Sequence, residues 1–238
     1  MNYGLLHNME SNFLLSLNNA SVVSRKKYLL KELNFHIKSN EFVTIVGKNG
    51  SGKSTLCKVL TGNLKISTGT MKVQDNIKIS YVPQHNNHNN IIPIKVLDFL
   101  LLNNVKKKLN ELDYKLIEKL KATSLLQQQF SELSGGQKQR IILTRALILK
   151  PDLLILDEPV SFIDFASKDG IYALIQEIRT EQNFSVIMVS HDLNIVLNNT
   201  DRVVCIKNGK IGCEGKPNDD PLLEFLINNN WTTYKHHD

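Results

Sequence analysis

The sequence lacks most features that mark secreted, membrane-spanning or zinc-stapled proteins. Its three cysteines, Cys57, Cys205 and Cys213, are odd in number and show no CxxC spacing. We therefore expect small buried side chains in a reducing compartment, not a disulfide framework or a structural zinc site. No stretch at the start has the basic-then-apolar form of a secretory signal. Apolar runs such as residues 96–102 are far shorter than the ~20 residues of a spanning helix. If the protein works at a membrane, we expect another chain to cross it.

A concentrated basic surface is also absent. The net charge of +6 is spread over many short segments without a dense Lys/Arg stripe. This spread indicates an ordinary solvated surface and no nucleic-acid partner, although a polyanionic ligand or an anionic membrane surface would use the same excess. The sequence contains no internal repeat and no second copy of any motif. The composition, with 42% hydrophobic residues, is that of an ordinary folded domain.

The order of hydrophobic patterns predicts an α/β fold. Residues 14–22 and 33–37 alternate as antiparallel strands do, whereas residues 42–46 form an apolar, β-branched run typical of a strand buried on both faces. From residue 153 onward strands and helices alternate, which implies a largely parallel sheet with right-handed crossovers. The helical patterns between residues 94 and 149 are best read as an insertion into that core.

A glycine-rich turn follows the buried strand and precedes a helical pattern. It matches G-x-x-x-x-G-K-[ST], whose glycines let successive N–H groups point at phosphate oxygens at a helix N-terminus. Lys53 would reach the β- and γ-phosphates, and the Ser54 hydroxyl would ligate Mg²⁺. The residues of this phosphate loop are Gly47, Lys48, Asn49, Gly50, Ser51, Gly52, Lys53, Ser54 and Thr55.

Two adjacent carboxylates, Asp157 and Glu158, end a second apolar strand. The carboxyl edge of a parallel sheet is where ligand crevices open. Because side chains alternate along a strand, we expect the two to face different ways and to do different work. Asp157 would hold Mg²⁺, a hard cation that prefers oxygen ligands, through the water shell of the ion, and Glu158 would polarise an attacking water.

A second candidate phosphate contact lies at the start of a later helix. A serine there is a good helix N-cap, and two glycines allow a phosphate to approach the backbone closely. Alone, such a turn is weak support for a phosphate-binding site. Beside the phosphate loop and the carboxylates it predicts a second anion-binding helix start, formed by Ser134, Gly135, Gly136 and Gln137.

In this order the motifs resemble those of the ATPases of ATP-binding-cassette (ABC) transporters over residues 14–215. The resemblance also rests on Gln84 after a strand, on residues 161–164 after the carboxylates and on residues 190–192 after another strand. It implies ATP and Mg²⁺ as ligands, ATP hydrolysis, and a head-to-tail homodimer. In such a dimer the signature segment (residues 133–137) of each copy closes on the γ-phosphate held by the other.

The resemblance also implies individual roles. Gln84 would sense Mg²⁺, the lytic water and a transmembrane partner, and Asp164 would communicate across the dimer. His191 would bond the γ-phosphate and orient Glu158. The implied catalytic residues are Glu158, His191, Gln84 and Lys53, and the implied metal contacts are Ser54, Gln84 and Asp157.

The implied fold is a P-loop NTPase (RecA-like) core with a mainly parallel sheet, an N-terminal antiparallel β region and an inserted all-helical subdomain. We expect residues 12–88 and 151–215 to form the core with its β region. Residues 89–150 would form the helical subdomain with the signature segment, and residues 216–238 a C-terminal tail. All 238 residues would then make up a single nucleotide-binding domain.

Two positions depart from the family pattern. An aromatic residue usually stacks on adenine near position 24, where this chain has Ser24 with Tyr28 four residues on. Either Tyr28 stacks on the base or its ring packs in the core. The second departure is Val160, in place of a Thr or small polar residue. We expect it to be tolerated because that side chain carries no required charge or metal contact.

Within the family the chain is similar to free-standing importer motors, in particular the ATP-binding subunit of bacterial high-affinity zinc uptake systems. That likeness rests on residues 62–84, 188–193 and 213–217. It implies transmembrane permease subunits, an indirect periplasmic or surface solute-binding protein, and a peripheral position at the cytoplasmic face of the inner membrane.

Other cargoes and other machines remain as alternatives. They are a manganese or iron importer, and a soluble ABC ATPase such as an Fe–S cluster assembly factor. The chain's own histidines are not predicted to bind zinc. Those in polar loop and tail contexts lack cysteine or carboxylate partners at ligand spacing. These histidines are His85, His88, His236 and His237.

Overall fold

The described part of the chain contains two β-sheets, six α-helices and two short 3₁₀ helices. The structure is a computed structural model that describes residues 13–84, 93–102, 108–159, 168–190 and 200–228, with the backbone alone for residues 168–171. The strands are β1 (Phe13–Ser24), β2 (Lys27–Lys38), β3 (Phe42–Val46), β4 (Thr68–Val73), β5 (Ile79–Val82), β6 (Leu153–Asp157), β7 (Ser185–Val189), β8 (Arg202–Lys207) and β9 (Lys210–Gly215). The helices are α1 (Lys53–Leu60), α2 (Val96–Leu101), α3 (Glu111–Lys119), α4 (Gly135–Ile148), α5 (Lys168–Gln182) and α6 (Asp220–Asn228). None of the helices in these ranges is long and apolar enough to span a membrane.

The larger sheet has the strand order β5-β6-β7-β3-β8-β9, and all its neighbours are parallel except β8 and β9. Every residue of β3, β6 and β7 is buried, as expected for parallel strands covered on both faces. The smaller sheet, β2-β1-β4, is antiparallel. The predicted fold class is confirmed, including the antiparallel region at the N-terminal end.

Alternate residues of the central strands pack into two different cores. On one face, Ile45 and Ile155 pack with Leu56 of α1 and with the antiparallel sheet. On the other face, Leu154 and Leu156 pack with residues of helices α2–α5. This two-residue alternation sends successive side chains to opposite faces. It also decides which side chains at the strand ends face α1.

The expectation for the cysteines is wrong for two of the three. β8 and β9 form an antiparallel hairpin whose register sets Cys205 opposite Cys213, and a disulfide joins them with a Cα–Cα distance of 5.1 Å. Cys57, in α1, is unpaired and fully buried, as expected. Cysteine number and spacing do not predict this pair, because the pairing follows from the hairpin register.

Candidate active site

The phosphate loop leaves β3 and curls back into α1. Gly52 caps this helix with a φ of 115°, which an L side chain rarely adopts. A Cβ at Gly47 would come within 2.5 Å of both the Ile206 carbonyl oxygen and Ser51 Oγ. Glycine is therefore required at both positions by the path of the backbone, which brings the loop to the N-terminus of α1.

Lys53 turns its ammonium group back into this loop. Nζ donates hydrogen bonds to the carbonyl oxygens of Gly47, at 2.7 Å, and of Lys48, at 3.1 Å. The side chain is buried, and burial lowers its pKa while Glu158 and Asp157 oppose that shift. A cation held inside a loop of backbone N–H groups is well placed to bind phosphate oxygens.

Asp157 ends β6 on the face that packs against α1. It is 2% exposed, and its Oδ2 accepts a hydrogen bond from the Tyr81 hydroxyl at 3.3 Å. The Ser54 hydroxyl also donates to the carboxylate. Burial raises the pKa of Asp157, and the hydrogen bonds from Ser54 and Tyr81 oppose that shift. Oδ1 is buried without a hydrogen-bond partner among the described residues. An unsatisfied carboxylate oxygen beside a serine hydroxyl is a donor set that fits Mg²⁺.

Glu158 lines the cleft beside the phosphate loop, whereas Asp157 is buried. Its φ of 51° lies in the left-handed region, which is uncommon for a residue other than glycine and is often found at functional sites. Its N–H donates to the Val189 carbonyl oxygen at 3.1 Å, which ties the turn to β7. The carboxylate Oε2 accepts a hydrogen bond from Gln84 Nε2 at 2.7 Å. The structure thus brings together two predicted residues that are far apart in the sequence.

An open cleft of about 780 Å³ is lined by Lys53, Ser54, Gln84 and Glu158, whereas the buried Asp157 is not among its lining residues. Tyr28 lies at this cleft with 55% of its surface exposed, so of the two alternatives for its ring, core packing is excluded. The residues that line the cleft are Lys27, Tyr28, Leu29, Asn49, Gly50, Gly52, Lys53, Ser54, Thr55, Gln84, Glu158, Asn208 and Gly209.

The β8–β9 turn also belongs to this cleft, although no motif in the sequence predicts it. Gly209 N–H donates to the Ser51 carbonyl oxygen, and the Lys31 N–H donates to the Gly209 carbonyl oxygen, both at 2.8 Å. The turn therefore links the phosphate loop to β2. Its Asn208-Gly209 dipeptide is a recognisable hairpin signal, but nothing local in the sequence shows what the turn contacts.

The signature segment forms a helix N-terminus, as predicted. Ser134 caps α4: its hydroxyl accepts from the Gln137 N–H at 3.3 Å, and Gln137 Oε1 accepts from the Ser134 N–H at 2.8 Å. None of the residues 134–137 is among those that line the cleft. Within the described part of one chain, the two predicted phosphate-binding segments are therefore not brought together.

Several predicted residues lie outside the described residues. They are His85, His88, Val160, Asp164, His191, His236 and His237. Ser190, which precedes His191, is described and buried, and the Tyr172 hydroxyl of α5 donates to its Oγ at 3.0 Å. Over the ranges that the structure describes, no group of three or more His, Cys, Asp or Glu side chains could hold a metal ion.

Comparison with known proteins gives one consistent result. A family model described as "ABC transporter" matches residues 30–161. The zinc import ATP-binding protein ZnuC of Ehrlichia chaffeensis is 39% identical, over 88% of this chain and 86% of that protein. ZnuC of Buchnera aphidicola subsp. Schizaphis graminum is 40% identical, over 86% and 84%. Among solved structures, a dimeric post-hydrolysis state of the ATP-binding cassette MJ0796 bound to ADP and Pi has a TM-score of 0.72. That cassette is 25% identical, over 86% of this chain and 99% of its own.

Proposed function

The chain belongs to the ABC transporter family, and from this premise we propose that it is the ATP-hydrolysing motor of an ABC importer for zinc(II). The observation that supports the motor assignment most directly is the arrangement at one edge of the larger sheet. Lys53 lies inside the phosphate loop, and Asp157 nearby has a carboxylate oxygen without a hydrogen-bond partner among the described residues. Gln84 bonds Glu158 at the cleft that Lys53 also lines.

Each of these residues has a distinct part in ATP hydrolysis. Lys53 binds the β- and γ-phosphate oxygens, and Ser54 and Asp157 are the residues that would hold Mg²⁺. When bound, Mg²⁺ supplies neutralisation of the negative charge that develops on the transferred phosphoryl group. Glu158, oriented by Gln84, polarises the water for in-line attack on the γ-phosphorus. His191, outside the described residues, bonds the γ-phosphate in this proposal.

A second copy of the chain would complete the site. The signature segment does not line the cleft of its own chain, and its N-capped helix start offers backbone N–H groups to an anion. We propose a head-to-tail homodimer in which this segment and Asp164 act across the interface. The dimeric state recorded for MJ0796 supports this arrangement.

The assignment of zinc as cargo rests on the relatives. Both ZnuC proteins are named as zinc import ATP-binding proteins, and each matches more than four fifths of this chain. An importer motor of this kind works at the cytoplasmic face of the inner membrane, bound to transmembrane permease subunits. A solute-binding protein on the other side would deliver the zinc. The motor itself need not contact the cargo, so fold and site chemistry do not distinguish metals.

A deletion strain tests both halves of the proposal. Cells lacking the protein should grow poorly when a chelator removes zinc, and added zinc or the wild-type protein should restore growth. The Glu158→Gln protein should not restore it. Rescue by manganese or iron alone, with zinc accumulation unchanged, would contradict the zinc assignment and leave the motor assignment intact. Failure to co-purify with any multi-spanning membrane protein would contradict the importer assignment.

A further inference from the structure

We propose that Tyr81 is a positioning residue for the metal site: its hydroxyl fixes Asp157 in the orientation that leaves Oδ1 available to Mg²⁺. The inference rests on the proposed function, because it concerns the same site. Tyr81 was not among the site residues predicted from the sequence. It touches neither nucleotide nor metal in this proposal and acts only through Asp157.

Strand register accounts for the contact between Tyr81 and Asp157. β5 and β6 are parallel neighbours, and Tyr81 lies opposite Ile155, two residues before Asp157. Ile155 and Asp157 therefore extend to the same face as Tyr81, the face covered by α1. The Tyr81 ring packs against the core on that face. A tyrosine is long enough to cover the two-residue offset, and its hydroxyl reaches Oδ2 at 3.3 Å.

The two oxygens of Asp157 have different surroundings because of this contact. Oδ2 accepts the hydrogen bond from Tyr81, whereas Oδ1 is buried with no partner among the described residues. The terminal torsion of an aspartate is broad, so the side-chain rotamer alone does not fix the plane of the carboxylate. The Tyr81 hydroxyl, together with Ser54, restrains that plane, since rotation of the carboxylate away from it would break the hydrogen bond.

We expect Tyr81 to make no direct contact with the nucleotide. It is not one of the residues that line the cleft, unlike its near neighbour Gln84. Loss of its hydroxyl should therefore affect metal binding and leave metal-free nucleotide binding unchanged. Residues that orient a metal ligand in this way generally contribute about 10- to 100-fold to metal affinity or activity.

The test compares nucleotide binding with and without metal, and does not depend on turnover. The purified full-length protein is titrated with a fluorescent, non-hydrolysable ATP analogue in EDTA and then in a series of Mg²⁺ concentrations. For Tyr81→Phe we expect about a tenfold rise in the half-saturating Mg²⁺ concentration, with unchanged affinity in EDTA. Tyr114→Phe removes the same atom from an exposed residue of α3 and should match the wild type. Asp157→Asn should lose most of the Mg²⁺ effect.

The outcomes separate this inference from the proposed function. If Asp157→Asn loses the Mg²⁺ effect while Tyr81→Phe keeps the wild-type response, the positioning role is wrong and the metal site remains. An equal loss of binding by Tyr81→Phe in EDTA also overturns the inference, because the hydroxyl would then support the pocket in general. A wild-type protein whose binding ignores Mg²⁺ overturns the proposed metal site, and the inference with it.

Discussion

At the amino end of the central strands the charged groups around Arg202 are paired with one another, whereas at the carboxyl end two buried oxygens are left without partners among the described residues. Arg202, at the start of β8, bonds Glu41 Oε1 at 2.7 Å, Glu214 Oε1 at 2.7 Å and the His36 carbonyl oxygen at 2.6 Å. Its NH2 group also reaches Glu41 Oε2 at 3.1 Å. Burial lowers the pKa of Arg202, but its ion pairs with Glu41 and Glu214 have the larger effect, so the pKa is raised overall.

The carboxyl end has the opposite arrangement. Asp157 Oδ1 and Ser51 Oγ are buried without partners among the described residues, and Glu158 has a strained backbone conformation. Lys53 donates there to backbone carbonyl oxygens of its own loop, contacts that a phosphate can replace. Other buried polar atoms without partners lie elsewhere in the described residues, for example Thr44 Oγ1 in β3 and Gln139 Oε1 in α4. It is the grouping of Ser51 and Asp157 with the buried ammonium of Lys53 that indicates a ligand site. The difference predicts that substitutions at the carboxyl end change chemistry and those at the amino end change stability.

The largest expected effect is that of Glu158→Gln. An amide cannot polarise water as a carboxylate does, so ATP hydrolysis should fall about 10²- to 10⁴-fold while ATP binding persists. The variant should accumulate as an ATP-dependent dimer on size-exclusion chromatography. Glu181→Gln, which alters an exposed glutamate paired with Lys119, should hydrolyse ATP normally. If Asp157→Asn gave the trapped dimer while Glu158→Gln stayed active, the two carboxylate roles would be reversed.

Arg202→Ala tests the amino end of the central strands. Removal of Arg202 leaves Glu41 and Glu214 without their partner, and should lower the free energy of unfolding by about 3 kcal/mol. This is the lower end of the range for a buried pair, because the Glu214 side chain is 34% exposed. Urea denaturation would measure the loss. Lys210→Ala breaks the exposed pair with Glu32 and should cost under about 1 kcal/mol. An Arg202→Ala protein with normal stability but weakened ATP binding would contradict the assignment of stability to the amino end and chemistry to the carboxyl end.

Lys53→Ala should reduce ATP binding much more than it reduces the stability of the fold. Loss of a charged donor to the phosphates should weaken ATP binding about 10- to 100-fold and abolish hydrolysis. Because Lys53 bonds only backbone carbonyl oxygens in the described structure, the urea midpoint should change little. Lys58→Ala removes an exposed lysine from the same helix and is the matched control. Normal turnover by purified Lys53→Ala would remove the phosphate-loop assignment.

Local patterns in the sequence were enough to predict the fold class and the backbone features of the site. The buried run of β3, the glycines of the phosphate loop and the Ser134 cap depend on residues a few positions apart. The contacts that sequence reasoning missed join distant segments: Tyr81 with Asp157, Gly209 with Ser51, and Arg202 with Glu41. Strand order and register bring these segments together, and no short-range pattern encodes them. The Cys205–Cys213 pair was missed for the same reason, since the hairpin register creates it.

The smallest expected effect concerns Tyr28. Its exposed ring is an uncovered apolar group at the end of the sheet where polar groups are also left without partners among the described residues. At 55% exposure the ring lies at the cleft with much of its apolar surface uncovered, and Lys31 Nζ lies 5.4 Å from its centroid. Stacking of a nucleic-acid base on an aromatic side chain contributes about 1–3 kcal/mol, and the exposed position of Tyr28 favours the lower figure. Tyr28→Ala should therefore weaken ATP binding about fivefold, and Tyr28→Phe, which keeps the ring, should bind as the wild type does. Fluorescence titration with an ATP analogue would measure both, with Tyr114→Ala as the control for loss of an exposed ring. Equal affinity in Tyr28→Ala would mean that no aromatic side chain at this position contacts the adenine, and the contrast between the two ends would then rest on polar groups alone.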